Sequence, residues 1–160
     1  MPAKHVVVGV SGGIAAYKAV EIVSRLKKAG CVVHVIMTKS ATQFVTPLTF
    51  REISGNPVSS DMWGELTQWN VEHIALATLA DLFLIAPATA NIIGKIAGGI
   101  ADDMLSTTVM ATKASVVIAP AMNTNMYCNP VVQRNIQTLK NLGYQFIAPA
   151  SGELACGTSG

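Results

Sequence analysis

The feature that most limits the folds open to this chain is a phrase written three times: Ile85-Ala86-Pro87-Ala88, Ile118-Ala119-Pro120-Ala121 and Ile147-Ala148-Pro149-Ala150. Each copy follows apolar residues that form a short buried strand, and each proline is expected to stop its strand because it has no amide to give to a ladder. Small polar loops come next, Thr89-Ala90-Asn91 and Met122-Asn123 after the first two copies, Ser151-Gly152 after the third. In open parallel sheets, ligands bind beyond the carboxyl ends of the strands, where the strand order reverses. An Ala-Pro pair is also a serviceable strand stop with no further meaning. Three copies, two followed by asparagine, favour loops lining one shared pocket.

The rest of the chain supplies the other parts of such a sheet. His5 to Val10 is a near-continuous apolar run, as in a fully buried parallel strand. It opens into Ser11-Gly12-Gly13 and a helix over 14–29, where Ala15, Ala19, Ile22, Val23 and Leu26 recur at helical spacing until Gly30. Cys31 to Met37 is a second strand. Thr46 and Pro47 cap and start a helix to about Ser54, and Gly55-Asn56-Pro57 turns into a brief strand at Val58-Ser59. Residues 61–71 carry Trp63 and Trp69 with little periodicity and read as an ordered loop. His73 then sits near the start of a short helix leading to strand Leu82–Ala86. A glycine-broken helix follows Asn91, Asp102 or Asp103 caps a helix from Met104 to Thr112, and Ser115 to Ala119 is a strand. Asn129-Pro130 opens a helix to Leu142, and Tyr144 to Ala148 is the last strand. Five full strands and one short one alternate with helices, which predicts an α/β fold, a doubly wound parallel sheet of Rossmann-like form.

Composition narrows the function. At 160 residues one domain is expected, with 51% hydrophobic and 12% charged residues, against roughly 25% charged in an average soluble domain. So little charge predicts that subunit interfaces hide part of the surface, and hence a homo-oligomer. A formal charge of +2 with no basic stripe argues against nucleic acid or an anionic membrane as partner. The most apolar window, Leu82 to Ile100, contains Pro87, Asn91 and Lys95 and makes a poor membrane span. The chain enters a strand at once after Met1-Pro2-Ala3-Lys4, without a leader pattern. Cys31, Cys128 and Cys156 fit neither a disulfide framework nor a zinc site, so no metal is expected and a cytoplasmic location with free thiols fits best.

A strand, a glycine turn and a helix make a seat for a phosphate or a flavin edge. Ser11-Gly12-Gly13 lacks both the Gly-Lys-Ser/Thr of a nucleoside-triphosphate loop and the Gly-x-Gly-x-x-Gly of a dinucleotide fold, and a tight turn needs glycine in any case. The end of the second strand discriminates further. A dinucleotide fold places Asp or Glu there to hold a ribose, whereas this chain has Thr38-Lys39-Ser40, hydroxyls and a cation suited to a terminal phosphate. That favours FMN over NAD, although Ser40 could equally be an N-cap. Asp102 and Asp103 read as caps rather than as a metal or acid/base pair, and a lone His73 reads first as a structural residue.

Ser11 to Lys18, Pro87 to Asn91, Ala101 to Thr108, Pro120 to Tyr127 and Leu154 to Gly157 together resemble the homo-oligomeric flavin-containing cysteine decarboxylases. The resemblance covers nearly the whole chain, and its most specific element is Pro120-Ala121-Met122-Asn123-x-x-Met126-Tyr127, with Tyr127 where tryptophan is usual. Within that family the chain looks most like the branch acting on 4′-phosphopantothenoylcysteine in coenzyme A synthesis, which in bacteria is commonly the N-terminal half of a bifunctional protein with a ligase. The resemblance implies a single FMN-binding domain over 1–160. Its cofactor residues would be Ser11, Gly12, Gly13, Ile14, Thr38, Ser40, Pro87, Ala88, Thr89, Ala90, Asn91, Ser106 and Ala121. It implies Asn123 and Met126 as substrate-binding residues, and His73, Asn123 and Cys156 as catalytic, Cys156 as proton donor from a flap. These would meet at subunit interfaces of a trimer, sometimes assembled into a dodecamer. In the implied reaction FMN takes two electrons from the cysteine moiety, carbon dioxide leaves the resulting thioaldehyde as an enethiolate forms, and hydride and proton are then returned. The chain stops at Gly160, short of the glycine-arginine element of that flap, so a truncated flap from about residue 150 is expected. A peptidyl-cysteine decarboxylase and a non-catalytic flavin-binding regulatory subunit remain alternatives.

Overall fold

In the computed structural model, which describes residues 1–63 and 69–148, the strands form one six-stranded sheet. Strand β1 (His5–Val10) pairs in parallel with β2 (Val32–Met37), which pairs with the short β3 (Val58–Ser59). On its other side β1 pairs with β4 (Leu82–Ala88), followed by β5 (Ser115–Pro120) and β6 (Gln145–Phe146). The order β3-β2-β1-β4-β5-β6 makes this the doubly wound parallel sheet that the apolar runs predict. Strand order reverses between β1 and β4. A crevice opens there, beyond Val10 and Ala88.

Alternation along β1 sorts the core onto two faces. Val6, Val8 and Val10 join Val33, Val35 and Met37 under α1 (Ala16–Lys28) and α2 (Pro47–Ser54). Val7 joins Ile36, Phe83 and Ile85 on the opposite face. That second core also takes in residues of α3 (Trp69–Leu79), α4 (Ala90–Gly98), α5 (Met104–Ala111) and α7 (Pro130–Asn141). A five-residue helix, α6 (Thr124–Cys128), links β5 to α7. Gly30, at φ +88°, ends α1 in a backbone conformation that side chains resist.

Three expectations change. Pro87 does not end its strand, since β4 runs through it to Ala88, whereas β5 does end at Pro120 as expected. Pro87 falls within the register shift between Ile85 and Ala88, where its missing amide interrupts no regular pairing. The 61–71 stretch is not all loop, because α3 already begins at Trp69. The last strand is two residues long, with the Ile147 amide adding one bond to the Ile118 carbonyl. Pro149, Ala150 and the whole segment carrying Cys156 lie outside the described residues. Among the described residues no helix is long and apolar enough to cross a membrane, and Cys31 and Cys128 are free thiols.

Candidate functional site

The crevice at the switch point is a cleft of about 1200 Å³. Its floor is tied by Ser11. The Ser11 amide donates to the Pro87 carbonyl at 3.3 Å and Oγ does so at 2.6 Å, while Oγ accepts the Thr89 amide at 3.0 Å. A buried hydroxyl with both roles filled locks the ends of β1 and β4 together, so this expected cofactor residue acts on the shape of the cleft. Thr89 Oγ1 in turn accepts the Ile92 amide and caps α4.

The glycine turn faces the second strand's end. A Cβ on Gly12 would lie 2.4 Å from Ser40 Cβ and 2.9 Å from the Ser40 carbonyl carbon, so only glycine lets these two turns approach. The amides of Gly12, Gly13 and Ile14 have no acceptor among the described residues. Three free N–H groups before the first turn of α1 suit an anion. Thr38, not Ser40, caps the short 3₁₀ turn at Ala41–Gln43, its Oγ1 accepting the Ala41 amide at 3.1 Å. The exposed Ser40 hydroxyl is therefore left for a ligand. Lys18 and Lys39 line the same cleft, both exposed and without a carboxylate partner among the described residues.

Pro120 to Tyr127 forms the other wall, and the Ala121 amide donates to the Ala88 carbonyl at 3.0 Å. Asn123 caps α6: its Oδ1 accepts the amides of Asn125 at 2.8 Å and Met126 at 3.4 Å. With the oxygen so fixed, Nδ2 is the end left free among the described residues. Asn91, Ala90 and Met126 also line the cleft.

Of the residues expected from the sequence, the cleft brings together Ser11 to Ile14, Thr38, Ser40, Pro87, Thr89 to Asn91, Ala121, Asn123 and Met126. Ala88 and Ser106 are not among its lining. Ala88 is fully buried in the core. Ser106 is occupied in a capping box with Asp103: its amide and its Oγ both donate to Asp103 Oδ1 at 2.7 Å, and its Oγ accepts the Asp103 amide. His73 does not line the cleft of its own chain either. Its half-buried ring leaves Nδ1 without a hydrogen-bond partner among the described residues. Cys156 is beyond the described residues. Among the described residues no cluster of three His, Cys, Asp or Glu side chains could hold a metal ion.

Residues 1–160 match the family described as Flavoprotein. The chain belongs to the flavoprotein family. Among its relatives, the coenzyme A biosynthesis bifunctional protein CoaBC of Bacillus subtilis is 54% identical over 157 residues, 98% of this chain but 39% of that protein's length. The probable phosphopantothenoylcysteine decarboxylase of Streptococcus mutans is 47% identical over 159 residues, 98% of this chain and 89% of the relative. The FMN-dependent cysteine decarboxylase SpaF superposes with a TM-score of 0.87 at 34% identity, covering 93% of this chain and 86% of that one. A PPC decarboxylase mutant complexed with pantothenoylaminoethenethiol gives 0.85 at 32% identity, with 99% and 89% covered.

Two features of this flavoprotein's cleft escape a reading of motifs. Lys18 lies in the first turn of α1, and only the fold shows that it faces the cleft. Lys95 and Asp103 also line it. They come from different helices, and no sequence spacing announces that they pair.

Proposed function

We propose that this chain is an FMN-dependent decarboxylase that converts 4′-phosphopantothenoylcysteine to 4′-phosphopantetheine and carbon dioxide. The observation that carries the reading is the pairing, in one cleft, of an anion seat with a neutral carboxylate donor: the free amides of Gly12 to Ile14 at one place and Asn123 Nδ2 at another. The residues fit FMN. The open amides, the Ser40 hydroxyl and the cations Lys18 and Lys39 would hold its phosphate, and the strand ends around Pro87 to Asn91 and Ala121 would flank its ring.

FMN, when bound, supplies a reversible two-electron oxidation that gives the electrons of the departing carboxylate somewhere to go. Asn123 orients that carboxylate by a hydrogen bond without a charge that would hold it back. His73, whose imidazole can both accept and donate a proton, and Cys156 would move protons to and from the sulfur-bearing carbon unit. His73 would reach the cleft of a neighbouring copy, in a homotrimer or in a dodecamer assembled from such trimers, in the cytoplasm.

The test is the purified chain's absorbance spectrum after FMN is offered, then carbon dioxide release with 4′-phosphopantothenoylcysteine and with a peptide ending in cysteine. Yellow protein with release from the first substrate is the expected result. Release from the peptide alone moves the assignment to peptidyl cysteine. A chain that takes up no FMN overturns the reading, and a yellow chain inert to both substrates leaves a flavin-binding regulatory role.

A further inference from the structure

Lys95 differs from the other cations of the cleft in being already held. Its Nζ lies 3.0 Å from Asp102 Oδ1 and 3.5 Å from Asp103 Oδ2. Asp103 has a second task, since its Oδ1 caps α5. Asp102 caps no helix: Lys95 is the first partner of its carboxylate, and the Ser106 hydroxyl is a lesser one. One carboxylate would neutralise one ammonium, and the chain provides two. The pairing raises the Lys95 pKa above its ordinary value and lowers that of Asp102, so both groups stay charged across the neutral range.

Given the decarboxylase reading, on which this inference rests, a free ammonium in the cleft would be harmful. A carboxylate must leave as neutral carbon dioxide. A cation that grips it stabilises the bound substrate more than the transition state, in which that charge is moving away, so binding tightens and turnover slows. Asn123 offers an uncharged grip on the same group. We propose that Asp102 and Asp103 are positioning residues that restrain Lys95, keeping its ammonium off the substrate carboxylate so that Asn123 alone receives it.

The test uses the full chain loaded with FMN. In the double variant Asp102→Asn/Asp103→Asn the asparagine at 103 still caps α5, but both charges on Lys95 are gone. KM and kcat for 4′-phosphopantothenoylcysteine should fall together, each about tenfold, the effect of one charge-assisted hydrogen bond gained in the ground state. A titration independent of turnover accompanies it. The S-methylated substrate, which keeps its carboxylate, should bind about tenfold tighter to the double variant. The S-methylated product, which lacks the carboxylate, should bind unchanged. Adding Lys95→Met to the double variant should reverse both effects, and Asp102→Asn alone, which leaves the cap untouched, should move them in the same direction by less.

A purely structural role for the two aspartates would weaken both ligands and would not be rescued at Lys95. That pattern, or an unaltered preference for the carboxylate ligand, overturns the clamp while the wild-type chain remains an active decarboxylase. A wild-type chain that binds FMN and releases no carbon dioxide from the substrate overturns the decarboxylase reading, and the clamp with it.

Discussion

The Asn123 carboxamide divides its two ends between fold and ligand: Oδ1 holds the amides of Asn125 and Met126, and Nδ2 is left to the cleft. Aspartate would cap α6 as well, but would present no donor and would repel a carboxylate. Asn123→Asp should therefore lower turnover by at least about a hundredfold, judged from the loss of one positioned donor, while the FMN spectrum and the melting temperature stay near wild type. Loss of the flavin instead would mean the side chain serves the cofactor. Gly12 gives a second prediction. Its missing Cβ is what lets the glycine turn meet Ser40, so Gly12→Ala forces the two turns apart. Overpacking of this kind costs about 1–3 kcal/mol. Urea denaturation should register that loss, and FMN affinity should drop with it because the free amides move with the turn.

At the scale of elements, β1 and β2 carry a histidine pair at positions separate from the cleft lining. His5 Nδ1 and His34 Nε2 are 3.4 Å apart with ring planes within 12°, and the His5 amide donates to Asp81, which also meets Lys4. Only one proton fits between two such nitrogens. Burial, and then the charge of His5, lowers the His34 pKa from 6.5. The unfolded chain therefore binds more protons as the pH falls through this region. The contribution to stability is present above 6.5 and is lost as the pH drops through the lowered folded value. Urea midpoints taken from about pH 8 down to about pH 5 should fall, and His34→Asn should flatten that slope. The sheet itself was legible because parallel strands buried on both faces leave unbroken apolar runs, and glycine and proline punctuate them. What escaped has local causes. A missing amide rules proline out of a regular ladder, but Pro87 sits in a register shift and serves Ser11 with its carbonyl. Helix α3 was expected around His73 but its start at Trp69 escaped, because Val71, Ile74, Ala75, Leu76, Ala77 and Leu79 leave little polar stripe, and a helix apolar around most of its girth has no clear period to mark its first turn. In the candidate site the cleft-lining loops were readable from strand ends. The Thr38 cap and the Lys95 clamp were not, since each depends on which of several neighbouring polar groups the fold brings into range.

At the scale of the whole molecule, a chain with 12% charged residues leaves large apolar side chains uncovered, among them Trp63 at 73%, Ile74 at 55% and Met110 at 53% exposure. Ile74 and Met110 belong to α3 and α5, helices that pack against each other, and His73 is the residue beside Ile74. A surface of this composition is suited to a second copy of the chain. If that copy covers it, the histidine on α3 is carried to the cleft of a neighbour, which accounts for its absence from its own. Mixed oligomers test this directly. His73→Asn and Asn123→Asp chains should each be inactive alone. When they are unfolded together in equal amounts and reassembled, a cleft that takes His73 from one subunit and Asn123 from the next finds both intact in about a quarter of cases, by random assembly in a closed ring. Carbon dioxide release should therefore recover to about a quarter of the wild-type rate. Were both residues drawn from the same chain, every cleft in the mixture would lack one of them, and activity would stay at the level of the separate variants.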